Sequence, residues 1–223
     1  MNINLVKKAI ATYTYNILNT KYPTIFKGYT TTNASGTSIN YRNVYWSETL
    51  EYRPIDATEC CLDVTKIESI NTKGIDSDFY YDEELEKYQT KTKEDIIVTV
   101  NFNVTSMKNK GLNLTDLQAQ NLVNDTCMYI RNQLKSGSAF NYFQYDNDIF
   151  TPIEVLIQQG DLSDIEDVSR FEDTKYRHTS QFSCKFRYSE VGSYDTLLAQ
   201  GAHIEIGEDE LAENVEIDIS LGD

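Results

Sequence analysis

From Tyr176 to Tyr188 the sequence alternates without a break, "YRHTSQFSCKFRY". Tyr176, His178, Ser180, Phe182, Cys184, Phe186 and Tyr188 fall on one side of an extended chain, and Arg177, Thr179, Gln181, Ser183, Lys185 and Arg187 on the other. Successive side chains of a strand point to opposite faces, so this period specifies a half-buried strand rather than an amphipathic helix. One face is mainly apolar; the other is polar, with three cations and no acid. "DIIVTVNFNVT" repeats the pattern, setting Ile96, Val98, Val100, Phe102 and Val104 against Ile97, Thr99, Asn101, Asn103 and Thr105, and predicts a central strand. Two long strands with one apolar face each need a covering layer.

Helices supply that layer. "NLTDLQAQNLVNDTCMYIRNQLKSG" places Thr115 three residues before Gln118, the pattern of a capping box, and ends at Gly137, where a left-handed cap is expected. Ala119, Leu122, Val123, Cys127, Ile130 and Leu134 form its apolar stripe. Residues 4–20 space Val6, Ala9, Ile10, Tyr13 and Ile17 three and four apart, with Asn4 as a cap and Pro23 beyond the end, and predict a second amphipathic helix.

Elsewhere the pattern is weaker. Residues 57–70, "ATECCLDVTKIESI", suit a strand, as do residues near 154–158, "EVLIQ". Residues 27–45 are polar and glycine-containing and predict a long loop or hairpin arm. A second inserted loop is expected near 71–94, where "GIDSDFYYDEELEKYQTKTKE" reads as acidic and solvated. The expected fold is α+β: helices packed on a mainly antiparallel or mixed sheet, in one domain over residues 1–206. Residues 207–223 form an acidic C-terminal extension. The last 21 residues hold eight acids and no Lys or Arg, yet Val215, Ile217, Ile219 and Leu221 alternate with polar residues, as in a strand that orders on a neighbour.

Charge narrows the function. With 35 Asp and Glu against 20 Lys and Arg, the formal charge is -15, which opposes a role in gripping phosphates. "NLVKKAIATYTYNILN" interleaves polar and apolar residues, so no signal peptide is expected there, and no apolar run approaches the length of a membrane span. The chain is expected to be soluble. Cys60, Cys61, Cys127 and Cys184 lack metal or redox spacing and are expected to be reduced, mostly buried thiols.

Chemistry is hard to assemble from this inventory. His178 and His203 are the only histidines, and neither has a partner at metal-ligand spacing. A calcium loop begun at Asp76 would want Gly where Tyr81 stands and Glu where Lys87 stands. "GDLSDIEDVSRFED" offers carboxylates, including Asp161, Asp164, Glu166, Asp167, Glu172 and Asp173, but nothing in the sequence fixes their geometry. No enzyme activity, cofactor or metal is expected. The aromatic stretches "YTYN", "YRNVYW" and "FNYFQY" are expected to serve subunit contacts, with a carbohydrate platform as the competing use.

The order of these features carries one further indication. From about residue 92 to 206, "EDIIVTVNFNV", "LQAQNLVNDTCMYIRNQL", "PIEVLIQQGDLSDIEDVSRFEDTKYRHTSQFSCKFRY" and "AHIEI" resemble the phage neck or tail-terminator family. The characteristic part runs from "GDLSDI" through an acidic and a basic residue into a strand ending Phe186, Arg187 and Tyr188. The resemblance covers about half of the chain and leaves the 27–45 region and the acidic extension unmatched. It implies a structural virion protein, assembled in the host cytoplasm, whose six copies form a ring that caps the tail tube and joins tail to head. The implied partners are further copies of itself, the tail tube protein, a head-completion or stopper protein and, where the tail contracts, the sheath. DNA would pass through the ring without specific binding, and no membrane is involved. The alternatives are a head-completion or stopper connector, and a carbohydrate- or receptor-binding module. The expected subunit interface comprises the cationic strand face, Arg177, Lys185 and Arg187, where the next subunit's carboxylates would land, together with Asp164, Asp167 and Glu172 and the two ends of the chain.

Overall fold

The computed structural model describes residues 3–26, 29–32, 35–36, 38–48, 58–70, 76–82, 87–107, 114–147, 152–158, 160–172, 175–195, 202–205 and 216–219. Along the chain run α1 (Ile3–Lys21), β1 (Tyr29–Thr32), β2 (Ser38–Tyr41), β3 (Val44–Trp46), β4 (Glu59–Ser69), β5 (Asp76–Asp82) and β6 (Lys87–Met107). After these come α2 (Asp116–Leu134) and α3 (Gly137–Asn141), which continues into a π-helical turn (Tyr142–Asp146). β7 (Ile153–Leu156), β8 (Glu166–Asp167), β9 (Arg170–Glu172), β10 (Lys175–Asp195), β11 (Ala202–Glu205) and β12 (Glu216–Ile219) complete it. The chain divides into two compact units, residues 1–72 with 94–190, and residues 73–93 with 191–223.

The first unit is an α+β fold: seven strands of a mixed sheet carry three helices. Its central order is β3-β4-β6-β10-β7, with β8 and β9 also paired to β10. β4 and β6 are antiparallel, with a bulge between Val64 and Lys66. Asn101 meets Gln181 and Asp95 meets Ser189, so rising numbers on β6 match falling ones on β10, which makes that pair antiparallel as well. Among the described residues of this sheet β3 and β4 pair in parallel, Val44 lying opposite Cys60 and Trp46 opposite Leu62. Buried Asn43 secures that joint, its amide donating to the carbonyls of Ile25 and Thr58 while its own carbonyl accepts from the Cys60 amide.

The core lies between this sheet and the helices, where the alternation placed it. Val98, Val100, Phe102 and Val104 of β6 and Phe182, Cys184 and Phe186 of β10 are buried against Val123, Cys127, Ile130 and Leu134 of α2. The Phe102 and Phe182 rings stack with centroids 4.9 Å apart and planes 1° from parallel. Burying an aromatic side chain contributes roughly 1.5–3 kcal/mol, so this row accounts for a large share of the driving force. α1 buries Val6, Ala9, Ile10, Tyr13, Thr14 and Leu18. Leu18, rather than the expected Ile17, ends the stripe, because it stands four residues beyond Thr14 and so falls beneath it on the same face.

Two expectations about the helical segments need correction. The capping box of α2 forms as read, with Thr115 and Gln118 bonding reciprocally. Its end differs: Lys135 closes the helix in a right-handed conformation and Ser136 caps α3, so Gly137 begins a helix instead of stopping one. Among described glycines only Gly36 and Gly160 have positive φ. "FNYFQY" is not all contact surface either: Phe143 is buried, its ring 5.0 Å from Tyr13 and 5.6 Å from Phe186, while Phe140 and Tyr145 face out.

The two inserted loops contain strands. In the 27–45 region β1 and β2 pair as an antiparallel hairpin, and its last residues enter the main sheet as β3. In the 71–94 region, within the second unit, β5 pairs with the first part of β6. That register sets Asp76 opposite Lys93, Asp78 opposite Lys91 and Asp82 opposite Lys87. The alternation of the C-terminal extension does yield a strand, β12, which pairs with β11 of its own chain.

Candidate functional site

The outer side of β10 concentrates the residues singled out from the sequence. Its partner there is the acidic stretch 160–172, which is not a free turn but is stitched along the strand. Leu162 bridges Cys184, β8 pairs Asp167 with Ser180 and Glu166 with Gln181, and β9 pairs Phe171 with Tyr176. Between these, the Lys185 amide donates to the Asp161 carbonyl and the Ser163 amide to the Ser183 carbonyl. Ser163 and Ser169 add side-chain bonds, their hydroxyls accepting from the Ser183 and Thr179 amides at 2.8 and 3.0 Å. An exposed strand edge invites pairing with other chains, and this stretch covers it.

The cations of β10 are engaged within the chain. Lys185 Nζ lies 2.9 Å from Asp161 Oδ1, and the hydrogen bond and charge of Asp161 raise the lysine above its usual range. Arg187 pairs with Glu154, directly across the ladder on β7. Arg177 is half-buried beside β9. The carboxylates named with these cations are also placed. Asp164 lies 3.4 Å from Arg131 of α2, whose Nε donates to the Ser163 carbonyl at 2.9 Å. Asp167 accepts from both the hydroxyl and the amide of Ser169, and these bonds hold its carboxyl below the usual carboxylate range. Glu172 stands in β9 opposite Lys175.

The six chosen residues therefore belong to one strand and the stretch that flanks it. Their partners within the chain, Arg131, Glu154 and Asp161, were not among them. Arg131 is invisible to pattern reading because it sits on the polar side of α2, far away in sequence. Ser163 and Ser169 leave a fainter mark, two small hydroxyl residues in a run of acids.

The inner face of β10 holds His178, nearly buried against the start of α2. Its Nε2 lies 3.8 Å from Asp116 Oδ1 and its ring centroid 4.8 Å from that of Tyr176. Ser180 donates to Asn124, and Cys127 Sγ lies 3.1 Å from the Ser180 carbonyl oxygen, so α2 is bonded to the strand it covers. His203 lies in β11 of the second unit. Among the described residues no three His, Cys, Asp or Glu side chains converge as a metal set would. Burial pushes the thiols up, Cys127 to about 12 and Cys60 and Cys184 well above their ordinary value, which removes the thiolate that reactivity needs.

No family model matches this chain, and no curated protein does. Among the described residues, no helix is long and apolar enough to cross a membrane.

Proposed function

We propose that this chain is a structural subunit of a phage neck, a tail terminator whose six copies close into a ring on the tail tube and join it to the head connector. The observation that carries this reading is the continuity of the run that resembles the family. Residues 94–190 fall in one compact unit, in which β6, α2 and β7 lead into the acidic stretch lying along β10. An assembled ring needs covered edges and rigid faces, and the bonds between 160–172 and β10 supply both. An acidic ring would also let DNA pass without holding it.

The placed ion pairs refine which cation would meet a neighbour. Lys185 and Asp161 are both largely covered, whereas Arg187 and Glu154 are each nearly half exposed. A guanidinium has five N–H donors and the contact with Glu154 uses Nη2, so Arg187 can bridge Glu154 to a carboxylate of the next subunit.

Mass photometry with the tail tube protein tests the reading. A hexamer-sized species that halts tube growth is expected, and Arg187→Glu should weaken it while leaving the monomer's circular dichroism unchanged. A protein that stays monomeric with and without tube protein overturns the proposal. A ring that binds only head-side proteins makes it a stopper, and a monomer that binds glycans makes it a recognition module.

A further inference from the structure

On the far side of the first unit from β10's acidic cover in sequence, α1 and β3 enclose a shallow groove of about 410 Å³. Its walls include Lys7, Lys8 and Thr12 of α1, Arg42 just before β3, Trp46 and Glu48. Three cations gathered around one tryptophan stand out in a chain of charge -15. Among the described residues of the wall the carboxylate is Glu48, which pairs with Lys7.

The groove is held in shape before anything enters it. Trp46 Nε1 donates to the Lys7 carbonyl at 3.2 Å, and Lys7 Nζ stands 5.5 Å from the indole centroid. The Arg42 guanidinium lies 5.3 Å from the Tyr15 ring, and Lys8 and Thr12 share one face of α1, four residues apart. A volume of this size exceeds what a single small anion fills, and such an anion would leave the half-exposed indole uncovered. The complementary ligand is an extended acidic peptide carrying an apolar side chain. A nucleic acid suits the same cations less well, because the field of the whole chain repels a polyanion.

The chain itself contains such a peptide. Between the paired ends of β11 and β12 the sequence reads "IGEDELAENV", with Glu208, Asp209, Glu210 and Glu213 around Leu211 and no cation. Copies with so large a net charge repel one another, and association requires a cationic patch that meets an acidic segment. We propose that the groove of Lys8, Arg42 and Trp46 receives the acidic 208–213 segment of a second copy, carboxylates on the two cations and Leu211 on the indole. This contact rests on the ring reading for its biological setting.

Trp46 is the only tryptophan, so its emission reports directly on the groove. The probe is a synthetic peptide of residues 207–216, titrated into the full chain at low salt. A saturable change in Trp46 emission is expected, weakened about tenfold or more by Lys8→Glu with Arg42→Glu, as expected for loss of two charge-assisted contacts. A peptide whose five acids are replaced by their amides should give no change. Absence of a response, an equal response in the double variant, or the same response to duplex DNA overturns the proposal. Emission already shifted at every protein concentration, and abolished by the amide substitutions in the full chain, would place the chain's own segment in the groove and overturn the second-copy contact. Mass photometry separates this from the ring reading. Self-association that is not hexameric and is abolished by the groove variants keeps the contact and removes the ring, a strict monomer removes both, and rings unaffected by the groove variants keep the ring and remove the contact.

Discussion

Lys185 and Asp161 form an ion pair of 2.9 Å that joins β10 to the stretch lying along its edge. Taken from the sequence alone, Lys185 was one of three cations awaiting an acidic partner; in the fold its partner comes from 24 residues earlier in the same chain. Its raised pKa has a definite sign. A lysine raised by its partner adds stability below its unfolded value, and that contribution is lost as pH rises through the folded value.

Asp161→Asn should therefore cost little at neutral pH, roughly 0.2–1 kcal/mol, the range of partly exposed pairs. Urea unfolding of the wild type, Asp161→Asn, Lys185→Met and the double variant measures the coupling, which should vanish above the lysine titration. A cost of several kcal/mol would mean that Asp161 does more than pair with Lys185.

Ser169→Ala should show itself in acid. Asp167 is held low chiefly by the Ser169 hydroxyl and amide, so its contribution is present above the unfolded value and lost as pH falls through the folded one. Without the hydroxyl the acid-unfolding midpoint should move to higher pH. Hydrogen exchange at the Thr179 amide, which donates to that hydroxyl, should also quicken. An unchanged midpoint together with unchanged exchange would refute both roles.

Phe182→Ala should destabilise the chain by about 3–5 kcal/mol, the cost of a large cavity in a packed core. A cycle with Phe102→Leu and Phe182→Leu should give a coupling near 1 kcal/mol for the stacked pair. Independent effects in that cycle would show that the stack adds nothing beyond burial.

Thiol labelling should divide the cysteines. Cys61 is half-buried and should react first with a disulfide reagent in the native state, whereas Cys60, Cys127 and Cys184 are free, buried thiols and should wait for unfolding. All four should react in denaturant. Rapid native labelling of Cys127 would contradict its burial beneath α2.

Much of the first unit was legible in the sequence. The inward sets of β6 and β10 and the stripe and capping box of α2 are properties of neighbouring residues, and a period of two or of three to four states directly which side faces the core. Leu122 shows the margin of such reading, since it falls within the stripe yet is only half-buried while Thr126 is buried. β5 was missed because its Asp residues read as a solvated run until the Lys residues opposite them in the register are known. α3 was missed because Gly137, its first residue, is of the type that normally ends a helix.

The candidate site divides in the same way. The sequence by itself determined that β10 would have one apolar face, one cationic face and an acidic stretch before it. Only the tertiary structure decided that the stretch folds back along the strand, that Asp161 and Glu154 meet its cations, and that Arg131 reaches across from α2. The reason is physical: a side chain's face follows from the backbone period of its own element, whereas its partner is chosen by where distant elements are brought in space, at sequence separations over which no local pattern extends.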